Sequence, residues 1–102
     1  MRLFDSGEDE ADVIEDLANR LDDAGAERLM TDHVTDGRGA PEPLGDRRAD
    51  LSFDHPGPGE TFIEVDEQRD ASARRQLNDM AENLGPGDRL LSVTDDDSAW
   101  WK

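Results

Sequence analysis

The stretch from Ala49 to Asp66 leaves the chain few folds to choose from. Its centre, His55-Pro56-Gly57-Pro58-Gly59, joins residues with fixed φ to residues that tolerate positive φ, and alternating apolar and polar side chains lie on both sides. This pattern predicts a β-hairpin with strands over 49–54 and 60–66. A five-residue loop pairs position 54 with 60 and carries the register inward. Ser52 then stands opposite Phe62, Asp50 opposite Glu64, and Arg48 opposite Asp66. Ala49, Leu51 and Phe53 fall on one face of the first strand; Thr61, Ile63 and Val65 fall on one face of the second.

The remaining elements are read outward from the hairpin. Ser6 is a suitable N-cap, followed by the acids Glu8, Asp9 and Glu10; Ile14, Leu17, Ala18 and Leu21 recur at helical spacing, and Gly25 supplies a stop. A first helix is expected over about 8–24. Weak alternation over 27–34 predicts a strand, and the Gly-, Pro- and charge-rich stretch 36–48 a long loop. Asp70 to Leu84, with Ala73, Leu77, Met80, Ala81 and Leu84 as its stripe, reads as a second helix closed by Gly85-Pro86-Gly87. A last strand is expected over 89–94. The order is α-β-β-β-α-β, an α/β (at this size equally α+β) domain with a small mixed sheet, a central hairpin and two flanking helices. It fills 1–94 as one domain, with 95–102 as an acidic and then aromatic tail.

Composition bears on whether such a core forms at all. The 102 residues carry 27 Asp and Glu against 11 Lys and Arg, a net charge of −16, and only 33% are hydrophobic. In dilute buffer that balance favours disorder. The basic residues are arginines except Lys102, and the excess is largely Asp. This resembles the proteins of haloarchaea, whose cytosol holds multimolar KCl. There the Debye length falls to about 3 Å or less, and self-repulsion that would open the chain is screened. Cysteine is absent, which excludes disulfides, thiolate zinc sites and a cysteine nucleophile. No apolar run approaches membrane-spanning length and Met1–Glu10 lacks the parts of a signal peptide, so the expected location is the cytoplasm, without a membrane partner.

The hairpin register also carries the chemistry. Like charges at facing positions destabilise a sheet unless something offsets them, and a divalent cation between Asp50 and Glu64 would. Two carboxylates with carbonyl and water ligands suit Mg²⁺ or Mn²⁺ better than zinc. The element order, Asp50 at the head of the second strand (Arg48-Ala49-Asp50-Leu51) and Glu64 in the third (Phe62-Ile63-Glu64-Val65-Asp66) resemble the PD-(D/E)xK, or restriction-endonuclease-like, nuclease superfamily. The resemblance covers roughly 8–94. It implies that Asp50 and Glu64 hold the metal, that Glu10 or Glu15 on the first helix assists, and that nucleic acid is the substrate. It also implies a lysine two places after the Glu, where this chain has Asp66. The resemblance is therefore to a degenerate member; Arg48, Gln68 and Arg69 are the neighbours able to substitute.

Each of these residues has an ordinary reading beside the functional one. Asp50 and Glu64 also fit a solvated acidic sheet face, as do Asp66 and Glu67. Arg48 and Arg69, like Arg47, Arg74 and Arg75, suit phosphate contacts or pairing with the abundant carboxylates. His33 and His55 have no spacing that makes a zinc site. Trp100 and Trp101 either dock on the sheet or anchor a partner. Gly37-Arg38-Gly39 lacks the following glycine and helix of a phosphate loop. Two function classes follow: a metal-dependent nuclease fold with doubtful activity, or a non-catalytic protein-binding or homodimerising module.

Overall fold

A computed structural model describes residues 10–32, 39–66, 68–94 and 98–102. The elements are α1 (Glu10–Asp23), β1 (Glu27–Thr31), β2 (Leu51–Asp54), β3 (Glu60–Val65), α2 (Ala71–Glu82), β4 (Arg89–Val93) and β5 (Ser98–Trp100). The five strands lie in sequence order. Neighbours are antiparallel except β3 and β4, which run parallel. A parallel pair needs a long crossover, and α2 provides it. The expected α+β order is present, with β5 added from the segment read as a tail.

The helices close where their ends are chemically satisfied. At α1 the Ala26 N–H reaches the Leu21 carbonyl (2.9 Å) and the Gly25 N–H reaches Asp22 (3.0 Å), with Gly25 at φ 92°. That is a Schellman stop, and its positive φ is why glycine stands there. At α2, Asp70 takes the Ala73 N–H on its side chain at 2.8 Å.

The two helices cover opposite faces of the sheet. Against α1, Val13, Ile14 and Ala18 pack on Leu51, Ile63, Val65 and Val93. Against α2, Leu77 and Met80 pack on Phe62, Leu90, Leu44 and Ala49. Ala49 and Leu51 therefore lie on opposite sides, although simple alternation puts them together. The cause is at Asp50, just before β2. Its N–H donates to the Ile63 carbonyl (3.0 Å), while Leu51 is the residue paired with Ile63. The strand is out of step by one residue there, in the manner of a bulge.

The hairpin register is as expected from Asp54–Glu60 to Leu51–Ile63, but the step at Asp50 ends it there, and the expected pairs Asp50–Glu64 and Arg48–Asp66 are not among the sheet's paired residues. His55 ties the hairpin turn: Nε2–H donates to the Pro58 carbonyl (3.0 Å), leaving Nδ1 to accept from the Thr61 hydroxyl (2.8 Å). Nearby, the Asp88 carboxylate takes the N–H groups of Glu60 (2.9 Å) and Gly85 (2.8 Å), joining the hairpin to the turn after α2. The two turns touch so closely that a Cβ on Gly59 would lie 2.3 Å from the Gly87 backbone. The 27–34 strand ends at Thr31, and His33 lies outside the described residues. Among the described residues no helix is long and apolar enough to cross a membrane.

Candidate functional site

The α2 face of the sheet is apolar at one end and polar at the other. Phe62 and Leu90 sit under α2, but the next positions along β3 and β4 are Glu64 and Ser92, paired in register and both buried. Ser52, opposite Phe62, is buried as well. Beyond this polar end opens a cleft of about 440 Å³ lined by Asp32, Asp46, Arg47, Arg48, Asp50, Glu64, Asp66 and Gln76. The structure thus brings Asp50, Glu64 and Arg48 to one opening.

Asp50 is tied into the sheet on three sides. Its carbonyl accepts the Asp32 N–H (2.9 Å), its N–H goes to Ile63, and its Oδ2 accepts the Val65 N–H at 2.7 Å. The carboxylate replaces the backbone acceptor that β2 would have offered Val65 had the strand continued in step. Both Asp50 and Glu64 are buried, at 3% and 7% exposure, so the charge near them is poorly solvated.

Asp66 extends β3 by one more rung, its N–H donating to the Val93 carbonyl at 3.0 Å. Its Oδ2 is buried and has no hydrogen-bond partner. Loss of solvation pushes the Asp66 pKa upward, the Asp50 and Asp70 carboxylates push it further, and Arg69 pulls against them. An acid stands at the lysine position, and its environment disfavours the ionised form.

The other expected residues divide. Arg69 is not at the cleft surface: Nε donates to the Ser92 hydroxyl (2.8 Å), Nη2 to the Ser92 carbonyl (3.3 Å), and the guanidinium lies 5.8 Å from the Trp101 ring centre. Arg47 reaches across to Asp79 at 3.2 Å. Glu15 is exposed on α1 and does not line the cleft; Glu10 opens α1, and its side chain lies outside the described part. Trp101 packs with the α2 cluster and donates from Nε1 to Asn78 (3.0 Å), whereas Trp100 is 60% exposed. Sequence reasoning missed Asp32 and Gln76 at the cleft. They arrive from the end of β1 and from α2, and no local spacing marks them.

Among the described residues, no three His, Asp or Glu side chains converge closely enough to hold a metal ion by themselves. The donor set fits a hydrated cation better than a protein cage. Mg²⁺ commonly keeps several waters and uses only one or two carboxylates. Here Asp50 retains Oδ1, and Asp66 offers a buried oxygen with no partner. No family model, curated protein or solved structure matches the chain.

Proposed function

We propose that this chain is a degenerate restriction-endonuclease-like domain whose cleft holds a hydrated divalent cation and engages a phosphodiester without hydrolysing it efficiently. The observation that carries the reading is the opening of Asp50, Glu64 and Asp66 into one cleft, with the inner Asp66 oxygen unpartnered. The α-β-β-β-α-β order with a parallel β3–β4 pair supports it, as does the hard-oxygen character of the donors. When bound, Mg²⁺ or Mn²⁺ would neutralise phosphate charge and lower the pKa of its water. Glu64 and the free oxygen of Asp50 would orient the cation, and exposed Arg48 at the rim would meet a phosphate. Asp66 has no positive charge with which to stabilise growing negative charge as a lysine does, so hydrolysis is attenuated.

The test is Mn²⁺ binding by electron paramagnetic resonance, run beside cleavage of single- and double-stranded DNA and RNA in multimolar KCl. Expected are Mn²⁺ binding by the wild type, its loss in Glu64→Ala, little or no cleavage by the wild type, and cleavage gained by Asp66→Lys. A folded wild type that does not bind Mn²⁺ overturns the reading. Cleavage that survives Glu64→Ala does so equally.

A further inference from the structure

The charged groups of the cleft fall into two sets. Asp46 and Arg48 are exposed and Asp32 and Arg47 half-buried, so this outer set has two acids and two arginines that balance one another. Multimolar salt screens what imbalance is left. The inner set is different: Asp50 and Glu64 are buried, and Asp66 has a buried oxygen. Bulk ions screen such groups far less, and all three carry the same sign when ionised.

A positive charge stands behind them. Ser92 is fully buried and pairs in register with Glu64 across the parallel β3–β4 boundary, so the two side chains share a face, about 4.8 Å apart by strand spacing. Arg69 holds that serine twice, Nε donating to its hydroxyl (2.8 Å) and Nη2 to its carbonyl (3.3 Å). The guanidinium is half-buried and lies 5.8 Å from the Trp101 ring centre. Trp101 is itself fixed, by Nε1 to Asn78 (3.0 Å) and by its backbone N–H to the Leu90 carbonyl (2.8 Å). The charge of Arg69 is felt in the cleft: burial, Asp50 and Asp70 raise the Asp66 pKa, and Arg69 lowers it. Asp70 is exposed and caps α2, which leaves Asp50, Glu64 and Asp66 as the inner acids.

We propose that Arg69, positioned by Trp101, sets the ionic charge that the cleft prefers. The inference rests on the cation site proposed above. Three inner carboxylates against one guanidinium leave two negative charges, which a dication balances. Without Arg69 the same oxygens would present three, and a trivalent ion would gain more than a divalent one, because the attraction scales with the charge of the ion. Trp101 has a stated part in this. A guanidinium over an indole face is held by cation–π attraction, so the ring keeps Arg69 against Ser92 instead of in solvent. The strand β5 brings that ring to the back of the cleft.

The test compares two ions on three proteins. Mn²⁺ binding is followed by electron paramagnetic resonance and Tb³⁺ binding by its luminescence, for the wild type, Arg69→Gln and Arg69→Lys in multimolar KCl, with circular dichroism to check folding. Arg69→Gln should raise the affinity for Tb³⁺ relative to Mn²⁺ by on the order of tenfold. Arg69→Lys keeps the charge and should keep the wild-type ratio. If Arg69→Gln does not fold, Trp101→Leu, which frees the guanidinium to leave Ser92, should move the ratio the same way by less. Both affinities falling together at a constant ratio would make Arg69 a brace between α2, β4 and β5 and overturn the inference. A ratio that moves as far in Arg69→Lys as in Arg69→Gln overturns it too. Either result leaves the cation site standing, whereas a wild type that binds no Mn²⁺ removes the site and the inference together.

Discussion

The two faces of the sheet are built from the same strands and do opposite things. On the α1 side, Leu51, Ile63, Val65 and Val93 meet Val13, Ile14 and Ala18, all apolar and all nearly sealed from solvent. On the α2 side Leu77 and Met80 meet Phe62, Leu90, Ala49 and Leu44, but Ser52, Glu64 and Ser92 share that face, buried and polar. The difference shows where this fold keeps its apolar contacts and where it tolerates buried polar groups. A buried carboxylate weakens a core, and Asp50 and Glu64 stand at the open end of one face alone, which is what the proposed cation site is built on.

The largest effect that would break this comparison is expected on the dry side. Leu51 is fully buried, and Leu51→Ala should cost about 2–5 kcal/mol, a large share of what a small domain has. Urea denaturation in high salt, to keep the native state populated, measures it. A loss under about 1 kcal/mol would mean the α1 face is not the stabilising one.

Next comes Asp50, where the two faces meet. Asp50→Ala leaves the Val65 N–H buried without an acceptor, at a cost of about 1–3 kcal/mol. Asp50→Asn keeps a carbonyl oxygen for that N–H and should cost less stability than Asp50→Ala while losing most Mn²⁺ affinity. The pair separates the role of Asp50 in the sheet from its proposed role in the cleft. Equal loss of stability in both variants would assign the residue to the sheet through its charge instead.

How far the sequence revealed this arrangement depends on the range of the interaction. Turn chemistry and alternation are local, and they located the hairpin, both helices and the pairing of Ser52 with Phe62. The step at Asp50 is not local: it depends on a carboxylate reaching the Val65 N–H fifteen residues on, and alternation alone therefore put Ala49 on the wrong face. The fifth strand was hidden for a related reason. Three aspartates precede it, and strand propensity in Ser98-Ala99-Trp100 shows only once β4 offers its edge. At the site, the expected pairing of Asp50 with Glu64 is lost to the step at Asp50, and the two line one opening through that step rather than through continued register. Register could not show that Arg69 is bound to Ser92 and Trp101, because Ser92 lies 23 residues away on the far side of a crossover.

The smallest expected effect concerns Asp66, and it is read most clearly against pH. Burial and the neighbouring Asp50 and Asp70 carboxylates raise its pKa in the folded protein, so the folded state holds this proton more tightly than the unfolded chain does. The contribution of Asp66 to stability is therefore fully present below the unfolded value and is lost as pH rises through the raised folded one. Above that raised value an ionised Asp66 with a buried, unpartnered oxygen is a net cost. Asp66→Asn should add roughly 0.5–1 kcal/mol there, toward the low end for such a group because the side chain is only half-buried. In acid, where wild-type Asp66 is already neutral, the variant should add nothing. Unfolding midpoints of the two proteins should converge as pH falls through the carboxylate range and separate again above it. Midpoints that stay parallel would show that Asp66 is as well solvated as an ordinary surface acid, and the proposed cation site would lose its unpartnered oxygen.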